Sequence, residues 1–557
     1  MDHADVCLEE IPFTMEKTTQ AISKSALPTL VTVFFFWGFV AASNGIFIPF
    51  CKTHFNLDQF QSQLIDTSFY GAYFFGSLIL YLMSAVSGVD ILNRIGFKNG
   101  IILGLSMSII GAVSLAFVAS GTGATFGMVL ACFFIIALGF SLQQTAAQPF
   151  AIALGNPATG AHRLNFAGGI NSLGTLLGPI AVSVVLFGDL NNEGTATIQS
   201  IKTLYLILAG LFLFVALFFF VSKNLPTIKM EEHVENSSKA MRLLFIIAIP
   251  TIVLLFFNNM FGENEKVYLV IGSLVFILGA LFYALIAAQK NKSGWGAMQY
   301  PQLVMGMIAI FVYVGMEVTV QSNMGALLRQ PEFGGLDEKY ISQFISLYWG
   351  SLMVGRWTGA LAVFDLKKST KNLLMIIVPL VAFALILFVN HMRGNEIKNM
   401  YVYVISIFIL IGAFFYANER PAKMLFTVAF FGLTAMVIGL LTTGQLSTFA
   451  FISGGLACSV MWPCIFALAV TGLGKYTSQG SAFLIMMILG GAIIPPTQGV
   501  ICDFDKMTTG GIAGMSYTHF SYIVPLICFA YMVWHAIKTK SILKSQGLDY
   551  DQQVSGH

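Results

Sequence analysis

The residues of this 557-residue chain best placed to do chemistry are amides where hydrocarbon is expected. In SLQQTAAQPFAIALG, Ser141–Gly155, three glutamines (Gln143, Gln144 and Gln148) close the apolar run Gly127–Phe140, and Pro149 follows at once. An amide left in hydrocarbon without a partner is strongly unfavourable. Such side chains therefore face a wet cavity, a hydrogen-bonding guest or another helix. Gln144 and Gln148 are four apart with Gln143 adjacent, which puts all three on one side of a helix. Each amide offers donors and an acceptor, a set suited to a neutral, hydroxyl-rich molecule. Asn44, Asn165 and Asn171 repeat this chemistry in the first and fifth apolar runs, and Gln321 and Asn323 in the second half of the chain. Tyr348, Trp349 and Trp462 add aromatic faces, which pack on the C–H faces of sugar rings. The competing readings are interhelical hydrogen bonds for the amides and packing or lipid contact for the aromatics, which make up 13% of the chain.

Two acids stand in apolar surroundings. Glu317 lies in MIAIFVYVGMEVTVQSNMG, one turn before Gln321. A carboxylate there must be paired, hydrated or protonated, so it is either a coupling group for a cation or a satisfied structural acid. Asp66, in QSQLIDTSFYGAY, reads as a helix-start acid, a coupling group or a sodium ligand.

These side chains need helices that cross a membrane. Hydrophobic residues make up 57% of the chain, charged residues 10%, and mean hydropathy is +0.80; a soluble domain is about 25% charged. Apolar runs of ~20 residues span a ~30 Å hydrocarbon core, and about sixteen are expected, ending near residue 537. The chain is thus expected to be an all-α polytopic membrane protein in contact with lipid. Residues 1–25 lack a signal-peptide layout, so the first span reads as an uncleaved anchor. With both termini in the cytoplasm, 21 of the 29 Lys and Arg fall on the inside. That bias predicts this orientation in a cell inner membrane.

The two halves repeat each other weakly. Pro149 is followed by FAIALG and Pro463 by CIFALAVTGLG; Phe69-Tyr70-Gly71 matches Tyr348-Trp349-Gly350. Such internal symmetry is typical of secondary transporters. The expected division is a tail at 1–26, a six-helix half at 27–222, a linker and extra hairpin at 223–299, a second half at 300–537 with a hairpin inserted within 372–441, and a tail at 538–557. The halves would then be pseudo-symmetric six-helix units with about four extra helices.

The stretches FFFWGFVAASNGIFIPF, FYGAYFFG, QQTAAQPFAIALG, HRLNFAGGINSLGTLLGP, YWGSLMVGRWTG and MWPCIFALAVTGLGKYTSQGSAFLIMMILGGAIIPPTQG resemble the major facilitator superfamily. More closely, they are similar to its fucose–proton symporter family, which includes bacterial glucose/galactose permeases. The resemblance implies twelve core helices, alternating access and proton-driven sugar import, with Asn44 and Asn171 facing the sugar. The chain departs from the family pattern at three places. Gly45 and Gln144 stand where the family carries acids, and Gly168 where it carries a Gln. An amide does not titrate, so coupling must use another group or another ion, or be absent. The missing side chains would leave room for a substrate bulkier than a deoxyhexose.

Asn93 and Arg94, in NRIGFKNG, match the superfamily's cytoplasmic turn, and Arg163 and Arg356 sit at inner helix ends. Together they are expected either to pair charges across a cytoplasmic gate or simply to set topology and meet helix dipoles. The seven Cys show no C-x-x-C spacing, the eight His no H-E-x-x-H pattern, and no P-loop is present. No metal, cofactor or nucleic-acid partner is therefore expected. A membrane enzyme would need clustered acids or His at one face, and a sensor a large output domain; neither pattern is found. The reading is a monomeric secondary transporter of a neutral sugar (a hexose or amino sugar), coupled to a proton or sodium. The alternative is a uniporter, or a transporter of another solute such as N-acetyl amino sugars or cell-wall fragments.

Overall fold

A computed structural model describes residues 25–55, 59–119, 123–155, 159–187, 197–223, 225, 237–257, 260–336, 338–364, 366–507 and 511–548. Within them the chain forms sixteen long helical segments: α1 Ala26–His54, α2 Gln59–Ser87, α3 Phe97–Ala119, α4 Phe126–Ala153, α5 Gly160–Phe187, α6 Ile198–Val221, α7 Ser238–Phe256, α8 Glu263–Lys290, α9 Pro301–Ser322, α10 Glu338–Ala360, α11 Lys368–Met392, α12 Val404–Ala417, α13 Pro421–Leu441, α14 Gly444–Val470, α15 (in two pieces, Thr477–Met486 and Gly490–Met507) and α16 Tyr517–Ser545. Each coincides with one of the apolar runs read from sequence. By length and composition, twelve of them can cross a membrane. α5 and α10, outside those twelve, carry His162, Arg163, Asn165, Asn171, Arg356 and Trp357.

Packing shows which helices form the two repeats. α1 lies along α5, α2 along α4, and α3 along both α4 and α6. In the second half α9 lies along α15, α10 along α14, and α13 along both α14 and α16. The two sets of pairings are the same, so α13 is a core helix. The additions are α7 with α8 and α11 with α12, four helices in all. α7 touches α2 while α8 touches α9 and α15, so the first hairpin straddles the seam between the halves. α11 and α12 pack on α10, α13 and α14.

The seam of α1 on α5 follows from glycine. A Cβ on Gly38 would lie 2.0 Å from the Asn171 carbonyl oxygen, and one on Gly174 would lie 2.1 Å from the Phe35 carbonyl oxygen. Only residues without side chains allow backbones this near. Gly174→Val is expected to destabilise the protein by about 1–3 kcal/mol through overpacking, seen as a lower melting temperature in detergent.

Candidate functional site

The site grows from a break in α14. Pro463 has no N–H, so the carbonyl of Ser459 four residues earlier has no helical donor, and the helix is interrupted between Cys458 and Met461. Arg356 Nε donates to that oxygen at 3.2 Å. Its Nη1 donates to Ser172 Oγ on α5 at 2.9 Å, and its Nη2 to Glu317 Oε1 on α9 at 3.3 Å. One guanidinium thus ties α10 to α14, to α9 and to the opposite half. Tyr313 Oη donates to the same Glu317 oxygen at 2.9 Å, and Tyr348 Oη to the Glu317 backbone carbonyl at 2.7 Å. Glu317 and Arg356 keep 13% and 11% of their side-chain surface exposed. Charges withdrawn this far from water must be paired and hydrogen-bonded, and these two are.

Through Tyr313 the pair is linked to an indole and an amide. Gln148 accepts from Trp462 Nε1 across the halves at 3.5 Å, and the Trp462 ring lies 6.2 Å from that of Tyr313. Gln144 Nε2 donates to Tyr73 Oη at 3.1 Å and stays partly exposed. Asn171 Nδ2 donates to the Phe34 carbonyl at 3.0 Å and is also partly exposed. Gln144 and Asn171 therefore bond to different helices, α2 and α1. Trp349 is partly buried edge-on to Tyr348. Gln321 is partly exposed, and Asn323 Nδ2 donates to Gln498 Oε1 at 2.9 Å near the far end of α9.

Several expectations change here. Gln143, expected in the cavity, is fully buried in a seam of the first half, accepting from Trp37 Nε1 at 2.8 Å and donating to Ser108 Oγ at 3.2 Å. Its neighbour Gln144 points 100° further round the helix, which is why the two part. Tyr348 is fully buried with its hydroxyl committed to Glu317, so it shapes the site from behind. Asn165 packs against Gly359 of α10. The room expected at Gly168 is filled by Arg356, whose Cδ would lie 3.2 Å from a Cβ there. The side chains of Asn44 and Asp66 lie outside the described residues.

The inner gate is also built differently. Arg163 turns back on its own half, donating through Nε to the Ala151 carbonyl at 2.8 Å, through Nη2 to the Ile152 carbonyl and through Nη1 to Thr159 Oγ1 at 2.7 Å. It caps the C-terminus of α4, where the dipole favours a cation. Asn93 is buried and Arg94 exposed in the turn capped by Asp90. The end of the bundle that carries these basic turns is closed mainly by neutral contacts: Trp357 Nε1 to the Gly169 carbonyl at 3.1 Å, His162 Nδ1 to the Gly359 carbonyl at 3.3 Å, and ring pairs Phe166–Phe364 and Tyr81–Phe483. Trp357, Ser172, Tyr313 and Tyr73 were not singled out in the sequence. Bare glycines on α5, Gly168 beside Arg356 and Gly169 beside Trp357, are the signal that would have found Trp357.

Two like-paired helical halves enclosing a paired charge, amides and indoles define the class, a two-half membrane transporter. The family model described as Major Facilitator Superfamily matches residues 29–419, and the chain belongs to that superfamily. It is 29% identical to a glucose/galactose transporter of Brucella abortus over 94% of this chain and 97% of that protein. It is 22% identical to the L-fucose-proton symporter of Escherichia coli over 90% of each chain. A crystal structure of the fucose:proton symporter of Escherichia coli superposes with a TM-score of 0.59 at 20% identity, covering 92% of this chain and 98% of that one.

Arg356→Ala would leave Glu317 buried without its cation, and is expected to cost about 3–5 kcal/mol. Adding Glu317→Gln should recover most of that loss, read as melting temperature in detergent for the single and double variants.

Proposed function

We propose that this protein carries a neutral sugar, a hexose or amino sugar, across a bacterial inner membrane by rocking its two halves about the space between Gln144, Gln148, Trp462 and the Arg356–Glu317 pair. The observation that carries the reading is the charge balance of that space. Among the described residues its one guanidinium is answered by its one carboxylate, and what remains is amide, hydroxyl and indole. That set recognises hydroxyl-rich rings by hydrogen bonds and aromatic stacking. The names of the relatives, glucose/galactose transporters and L-fucose-proton symporters, support the same substrate class. The basic end faces the cytoplasm, as the distribution of Lys and Arg favours. Gln144, Gln148, Asn171, Trp349 and Trp462 serve as sugar contacts, with Gln321 and Asn323 toward the mouth.

Glu317 is the coupling acid in this reading. A proton on its carboxyl removes the charge that holds Arg356 Nη2. Arg356 also spans the halves through Ser172, so its release loosens the closed end. Proton uptake and the change of access are thereby linked through one side chain. Gly45 and Gln144 carry no acid, so in this reading the role passes from those positions to Glu317.

The test is uptake of labelled galactose, glucose, fucose and N-acetylglucosamine into proteoliposomes, with proton and sodium gradients imposed separately. A sugar should accumulate under an inward proton gradient. Accumulation under sodium alone reassigns the ion, equilibration without accumulation makes the protein a uniporter, and no uptake of any sugar overturns the substrate class. Glu317→Gln should abolish proton-driven accumulation while sparing counterflow exchange, and accumulation at the unaltered rate removes Glu317 from coupling. Gln144→Ala should weaken sugar binding about tenfold, for loss of one buried hydrogen bond; equal affinity by calorimetry takes it out of the site.

A further inference from the structure

The first added hairpin is rooted at the basic end, where α2 of the first half meets α15 of the second. Its second helix, α8, runs through the short turn Gly296–Gln299 into α9, so the chain itself ties the hairpin to the second half. α8 also packs on α9 and α15, whereas α7 reaches the other way and packs on α2. Ser237, the residue before α7, is buried and is bonded from both sides. Its carbonyl accepts from Tyr81 Oη on α2 at 3.3 Å, and its hydroxyl from Gln479 Nε2 on α15 at 3.0 Å. Gln479 Oε1 accepts in turn from the Ala297 N–H at 2.6 Å. One glutamine of α15 thus holds the start of α7 and the turn after α8 together. Gly296 makes the joint possible, since a Cβ there would lie 2.6 Å from both Gln479 Oε1 and Ser237 Oγ. Tyr81 is itself buried in the seam, edge-on to Phe483 of α15.

We propose that this hairpin is a strap across the α2–α15 seam, which holds the basic end closed and biases the protein toward that state. The hairpin rides with the second half, through the chain and through Gln479. Its hold on the first half is the Tyr81 bond and the packing of α7 on α2. When α2 and α15 part at this end, Ser237 cannot keep a partner on each. Opening therefore breaks one of its bonds, or pulls α7 off α2, before any other change of access. Loss of one buried neutral hydrogen bond that exists only in the closed state raises the open-to-closed ratio about fivefold. The strap rests on the alternating-access reading, but not on the identity of the sugar, the coupling ion or Glu317.

The test reads the width of the basic end directly. Spin labels are placed on cysteines introduced at Ser87, exposed at the end of α2, and at Lys475, exposed just before α15. Cys7 and Cys502 are replaced by serine, and the other native cysteines are buried. Distances between the labels are measured by pulsed electron paramagnetic resonance on full-length protein in liposomes, without sugar. Tyr81→Phe keeps the ring against Phe483 and removes only the hydroxyl. Gln479→Ala frees the hairpin root from α15. Each should raise the ratio of long to short distances about fivefold over the protein with Tyr81 and Gln479 intact. A hairpin that merely packs would instead lower the melting temperature and leave the distances alone. That outcome in both variants overturns the strap, as does a shift in Gln479→Ala with none in Tyr81→Phe. No sugar enters the measurement, so a shift stands whatever the uptake assay finds, and unchanged distances leave the uptake result untouched.

Discussion

Arg356 is the constraint on which the arrangement depends. It is a charge in a low-dielectric interior, and every contact it makes offsets that unfavourable placement. The helix break before Pro463 supplies one acceptor, Glu317 supplies the countercharge, and Ser172 supplies a hydroxyl from the other half. Glycines let this long side chain lie where it does. Gly168 offers a bare patch of α5 beneath it, and Gly355 lets α10 approach Ser459, whose Oγ would lie 1.8 Å from a Cβ there. Four helices from both halves are thereby placed relative to one group.

The repeat of helix pairings gives this group its setting. In each half the first core helix lies on the fifth and the second on the fourth, while the third buttresses the fourth and sixth. The four added helices leave that pattern intact because each pair packs together as a hairpin. The first pair is attached where the halves meet. Ser237, ahead of α7, accepts from Tyr81 through its carbonyl at 3.3 Å and from Gln479 through its hydroxyl at 3.0 Å, which fastens the first hairpin's root to both halves. α11 and the α12–α13 turn wall a small cavity that His162 also lines.

Much of the fold could be read along the chain because a bilayer imposes a length and a composition on anything that crosses it. Sixteen apolar runs, the polar linker after Val221, the repeated Pro motifs and the surplus of two hairpins were all visible. Which of the three runs at 372–441 belonged to the core was not visible, since lipid-facing helices look alike, and only α13 packing on α14 and α16 decides it. The site was legible by residue type but not by partner. An amide bonded to a neighbouring helix and an amide facing water obey the same rule in sequence: both avoid bare hydrocarbon. Gln143 and Gln144, adjacent in the chain, take the two alternatives.

The sequence by itself determined that this is a helical membrane protein of two related halves, that amides, an acid and aromatics sit within its spans, and that its basic turns gather at one end. Those are properties of composition, spacing and charge, which neighbouring helices do not change. Tertiary structure alone decided that Arg356 leaves the gate to meet Glu317, that Arg163 caps α4, and that neutral contacts close the basic end. Each depends on which helix faces which across the seam, and residues 39 to 184 positions apart in the chain have no local signal of meeting.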